Sequence, residues 1–135
     1  AGHTHKYFPA HHEGYFRRLS GTNNYSAVTA DCLLSSKHDY LAVGGLDAEK
    51  MEVAFNNIDF CLKILELGRR NLYCSEAVLY HYESVSRGVD DTHEKRARFV
   101  RELLFLQERW SDFIALDPAY NPNLTLRREN FSISE

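Results

Sequence analysis

An α+β unit, a small sheet packed with about three helices, is the fold class predicted by three features of this sequence. Two stretches, Tyr25 to Leu34 and Asn71 to Tyr80, carry the β-branched, aromatic and small apolar residues of buried strands. Three others, beginning near Ser36, Asn56 and Thr92, open on a capping residue and continue with apolar residues at helical spacing. The 135 residues, 44% hydrophobic and 13% aromatic, suffice for one core and read as a single unit over 1–135, since a chain of this length buries roughly two-thirds of its surface.

Each element has its own justification. The opening "HTHKYFPAHHEGYFRRLSGTNN" is rich in His, Gly and polar residues with one short apolar cluster, which predicts a long ordered loop beside a cleft. "YSAVTADCLLSS" reads as a mostly buried strand, after which Ser36 caps a short helix, "KHDYLAVGG", closed by Gly44 and Gly45. Asn56 is the expected N-cap of the next helix, which buries Ile58, Cys61, Leu62 and Leu65 and stops at Gly68. "NLYCSEAVLYHYES" suits one or two short strands, with a bend at Glu76 and Ala77. Asp91-Thr92-His93-Glu94 resembles a capping box, and Phe99, Leu103, Leu106 and Trp110 follow at helical spacing. That helix should be the longest, about 28 Å at 1.5 Å per residue. The tail, "LDPAYNPNLTLRRENFSISE", holds two prolines and no periodicity, so it is expected to run as an extended strap.

Composition excludes several classes of function. The net charge of −3, from 16 basic and 19 acidic residues spread along the chain, forms no basic stripe for nucleic acid. No apolar run reaches the length of a membrane span, and the N-terminus lacks the apolar core of a signal peptide, so the segment is expected to be soluble. Cys32, Cys61 and Cys74 are odd in number and sit among apolar neighbours, which predicts buried free thiols in the core. "AGHTHKYF" begins without a methionine and in mid-pattern, so the chain is read as a piece of something longer.

Four groups of residues could carry chemistry. His3 and His5 share a face if extended, and His11 and His12 follow, but Glu13 is the only nearby acid, so the expectation is a polar loop beside a cleft and not a metal centre. Arg17 and Arg18 could meet a phosphate or form a solvated face. His81 stands at a strand end with Glu83 and Ser84 after it, where α/β sheets place ligand-binding groups; a hydrogen-bonded structural histidine is the competing reading. The sharpest oddity is "VAFNNIDFCLKILELGRR", a helix that opens on two asparagines and a lone carboxylate at Asp59.

From Tyr25 to Gly88 the order of motifs closely resembles the C-terminal half of family 2 glycosyltransferases of the GT-A fold: a Gly-Gly-apolar-Asp turn, a polar helix start, and a strand ending in histidine. The ending "RW…DPAYNPNLTL…FS" is similar to that of bacterial, often rhamnosyl-transferring, members that build surface polysaccharides. The resemblance implies that this is the acceptor and catalytic-helix part of such a domain, with the N-terminal nucleotide-binding half absent. It implies transfer of a sugar from a nucleotide-sugar donor to a glycan acceptor, with inversion, in a cytoplasmic protein or one peripheral to the inner face of the membrane. It places the catalytic base at Asn57, a position where the family has aspartate, and an acid at Asp59. It makes His81 a ligand of a divalent metal, Mg or Mn, in the full-length enzyme, and sets Asp47 and Glu83 on the acceptor side.

Asn57 is the departure. An amide can orient a hydroxyl but cannot take its proton. Asp59 is rotated about 200° from it on a regular helix, so the two cannot face one hydroxyl. The fragment alone is therefore expected to bind no metal or cofactor, to be inactive, and to self-associate through uncovered apolar surface. A non-catalytic glycan-binding or assembly module that has lost its base is the alternative.

Overall fold

The structure, a computed structural model, describes residues 4–5, 8–80 and 92–134. Among the described residues, two strands and four α-helices follow one another in the order β1 (Asn23–Tyr25), α1 (Lys37–Ala42), α2 (Asn56–Glu66), β2 (Asn71–Tyr73), α3 (His93–Arg109) and α4 (Ser111–Ala115). This is an α+β arrangement. The strands pair antiparallel, with Asn23 opposite Tyr73 and Tyr25 opposite Asn71. Among the described residues, no helix is long and apolar enough to cross a membrane.

Local chemistry sets most helix ends. Ser36 accepts a hydrogen bond from Asp39 N at 3.0 Å and starts α1, and Thr92 accepts one from Lys95 N at 3.3 Å and starts α3. The residue three beyond Thr92 is a lysine, so the reciprocal half of a capping box is missing. Gly68, at φ +77°, turns the chain out of α2 in the left-handed conformation that suits glycine. At 17 residues α3 is the longest helix, about 25 Å.

Four expectations are corrected. β1 ends at Tyr25, where the expected strand Tyr25 to Leu34 would begin, and β2 is the first three residues of Asn71 to Tyr80, because among the described residues each strand pairs only with the other. Past β1, the Thr29 hydroxyl caps a 3-10 turn over Ala30–Cys32. The N-cap of α2 is Phe55, held left-handed at φ 63°, and Asn56 is already helical. Of the expected buried side of α2, Cys61 and Leu62 are buried but Ile58 and Leu65 only partly so, with Asp59, Phe60 and Ile64 completing the buried set. Only Cys61 of the three cysteines is in the core; Cys32 and Cys74 are exposed, since the strands that would have covered them are not formed.

The tail also departs from a simple strap. It folds back on itself, with Leu124 bridging Ile133 and Thr125 N bonding Ser132 O at 2.7 Å. The main core lies between α2 and the α3–α4 pair, where Met51, Leu62, Leu106 and Trp110 pack with Phe55, Ile58, Phe105 and Phe113 around them. A second cluster ties the N-terminal loop to the tail: the Phe131 ring stacks on His5 at 5.3 Å and on Tyr15 at 5.4 Å.

Candidate functional site

The mouth of α2 is built from three directions. From α3, buried Glu102 accepts hydrogen bonds from Ala54 N at 2.5 Å and Val53 N at 3.4 Å, and its carboxylate meets Arg98 Nε at 3.7 Å. This fixes the chain just before the helix, and the Phe55 carbonyl then accepts the first helical bond from Asp59 N at 3.0 Å. From the segment after β1, the Val28 carbonyl accepts from Asn57 Nδ2 at 3.1 Å and from the Cys61 thiol at 3.8 Å. Burial pushes the Cys61 thiol pKa up, partly opposed by that contact with Val28. From β2, Asn71 Nδ2 donates to Ser26 O at 3.0 Å and to Cys61 O at 2.8 Å, joining the strand to the helix.

Asn57 therefore stands half-buried at the helix mouth beside Val28, with its N–H engaged by the protein. The amide oxygen is the group it can offer to a hydroxyl. Asp59 lies elsewhere, with no exposed surface. Its Oδ1 accepts from Trp110 Nε1 at 2.8 Å and faces Arg109 Nε at 3.4 Å; its Oδ2 makes no hydrogen bond and is neutralised by Lys63 Nζ at 2.8 Å. A buried charge needs this degree of compensation.

Asp47 belongs to the same network and not to the mouth. Its Oδ2 meets Arg109 Nη1 at 3.3 Å, and its Oδ1 accepts from Lys50 N at 3.0 Å. Arg109 thus joins the turn at Asp47 to the helix at Asp59, while Lys63 Nζ donates to Gly45 O at 3.0 Å. His81 and Glu83 lie outside the described residues.

Two of the N-terminal histidines accept hydrogen bonds from their own loop. His5 is buried, and its Nε2 accepts from Tyr15 N at 3.1 Å; His12 Nδ1 accepts from Gly14 N at 2.9 Å; His11 is exposed; His3 is not described. Among the described residues, no three His, Cys, Asp or Glu side chains are grouped to hold a metal ion. Arg17 pairs with Glu13 at 2.8 Å on the surface.

Glu102 and Arg109 are the supporting residues that spacing alone did not single out. A signal for the first exists: Glu102 falls on the stripe of Phe99, Leu106 and Trp110, where a carboxylate must be buried with a partner. Asp59 and Lys63 also stand at the i, i+4 spacing of a helical ion pair.

No protein-family model matches this chain, and no solved structure does. Among curated proteins, it is 51% identical over 134 residues, 99% of its length, to the uncharacterized protein y4gI of Sinorhizobium fredii. Over 119 residues, 82% of its length, it is 27% identical to the O-antigen biosynthesis protein RfbC of Myxococcus xanthus. The chain spans 15% and 8%, respectively, of the length of these two relatives.

Proposed function

We propose that this chain is part of a glycosyltransferase that moves a sugar from a nucleotide-sugar to a glycan acceptor during bacterial surface polysaccharide synthesis, on the cytoplasmic side. The similarity to an O-antigen biosynthesis protein carries this reading. The architecture at the mouth of α2 supports it: Glu102, Val28 and Asn71 hold a polar helix start rigidly beside a strand end, as positioning an acceptor hydroxyl requires. Asn57 then orients the hydroxyl through its amide oxygen. The Asp59–Arg109–Asp47 network keeps the helix in register with the turn at Gly45. A divalent metal would neutralise charge on the leaving diphosphate; among the described residues no three His, Cys, Asp or Glu side chains are grouped to hold one, and His81 lies outside them.

A specific observation favours a second reading, a glycan-binding module without chemistry. The amide of Asn57 is committed to Val28 O, and Asp59 is sealed in the core, so neither of these positions supplies a base. One experiment separates the two. The full-length protein and its Asn57→Asp variant are assayed for nucleoside diphosphate release from a panel of nucleotide-sugars with glycan acceptor. A carboxylate at 57 is repelled by the Val28 carbonyl and turns away from it, and general-base assistance by such a group is worth about 10²–10⁴-fold in turnover. A rise of that order supports the transferase. No turnover by either protein, with retained glycan binding, supports the module.

A further inference from the structure

At the opposite end of α2 from its mouth, about 15 Å away along the 11-residue helix, lies a cavity of about 460 Å³ between the strand pair and the tail. Arg18, Arg70, Asn24, Tyr25, Ser26 and Ala119 are among the residues that line it, and no aspartate or glutamate does. Among the described residues, no carboxylate pairs with either arginine there. Arg18 donates to neutral oxygens only, Tyr25 Oη and Asn24 O, each at 3.4 Å. Its guanidinium lies 4.8 Å from the centre of the Tyr25 ring and 5.6 Å from that of Phe131, which holds the group in place without cancelling its charge. The Arg70 side chain makes no hydrogen bond or ion pair among the described residues.

The acids near this cavity are otherwise placed. Asp117, adjacent to the lining, accepts at one oxygen from Ala119 N at 2.8 Å and from the Ser26 hydroxyl. Glu66 is exposed at the end of α2 and outside the lining. The carbonyl end of α2 disfavours an anion at this position, which a single arginine would only offset. Two guanidiniums in one cavity tip the balance toward binding one.

We propose that this cavity is a second site, distinct from the mouth of α2, that binds the oxyanion of an acidic sugar, a carboxylate or a phosphate ester, between Arg18 and Arg70. Planar guanidinium groups match both oxyanions in a two-pronged geometry. The volume suits a monosaccharide or disaccharide unit, with the Asn24 side chain available to its hydroxyls and the Tyr25 ring to its apolar face. That the ligand is a sugar rests on the polysaccharide reading above; that it is an anion rests on the cavity alone.

The test is an NMR titration of the 135-residue chain with glucuronate, glucose 1-phosphate, inorganic phosphate and neutral glucose. Saturable shifts at the amides of Asn24, Tyr25 and Ala119 are expected with the acidic sugars and not with glucose. Arg70→Gln should weaken binding about tenfold or more, and Arg70→Lys should recover part of it. Tighter binding of glucuronate identifies a carboxylate source, and tighter binding of glucose 1-phosphate a phosphate ester. Inorganic phosphate binding as tightly as either acidic sugar keeps the oxyanion site and removes the sugar. No shift at these amides with any anion at millimolar concentration, or shifts unchanged in Arg70→Gln, overturns the site. No nucleotide-sugar is present, so the result is independent of whether the parent transfers sugar.

Discussion

The Asp59 side chain shows how one residue can change meaning between a sequence and a fold. In the sequence it is an acid at a helix mouth; in the structure it is a fully buried carboxylate held by Trp110, Lys63 and Arg109. Removing one partner of a buried ion pair strands the other, at a cost of about 3–5 kcal/mol. Asp59→Ala is therefore expected to lower the urea midpoint severely, because Lys63 loses its counter-charge and the indole N–H its acceptor together. His5 supplies the second prediction at this scale. Its Nε2 accepts from Tyr15 N, so the neutral ring is the one that fits, and burial first, then the charges of His12 and Arg18, hold its pKa below the ordinary value of 6.5. A depressed histidine pKa means that the unfolded chain takes up the proton more readily. The stabilisation is complete above 6.5 and declines as pH falls toward the lowered folded value. Denaturation followed across that window should show a smaller loss of stability in His5→Gln than in the parent chain.

At the scale of elements, α2 owes its start to α3. No side chain caps it at Phe55, and the Glu102 carboxylate takes the two amides just upstream instead. Glu102→Gln weakens these charge-assisted bonds and leaves an amide with donors of its own facing two N–H groups. The expected cost is about 1–3 kcal/mol, with faster hydrogen exchange at the amides of Val53 and Ala54 as the specific sign. A stability loss without faster exchange there would place the role of Glu102 in packing. The Asn71 side chain joins β2 to α2 in a similar way, by donating to Ser26 O and Cys61 O.

Over the whole molecule, large apolar side chains of the described residues are left uncovered: Leu34 is 96% exposed, Tyr80 89% and Leu126 84%. A two-stranded sheet also leaves both outer edges unpaired by other strands of the described residues. Self-association of the isolated chain is the expected consequence. Light scattering over a wide concentration range should show mass rising with concentration, and a constant monomer mass would count against it.

What the sequence by itself determined is what local chemistry controls. Ser36 and Thr92 start helices through their own hydroxyls, Gly68 ends one through a conformation other residues resist, and Asn57 falls at a helix mouth by spacing. Longer-range partners decided the rest. Strand length depends on what pairs alongside, so of two stretches of ten β-prone residues one forms a strand of three and the other only the last residue of β1. The bond from Asn57 to Val28 spans 29 residues, and that from Trp110 to Asp59 spans 51. No local pattern encodes either, and it is these two contacts that turn one polar side chain toward the mouth and seal the other inside, because a buried carboxylate is stable only where the fold brings cations and donors to it.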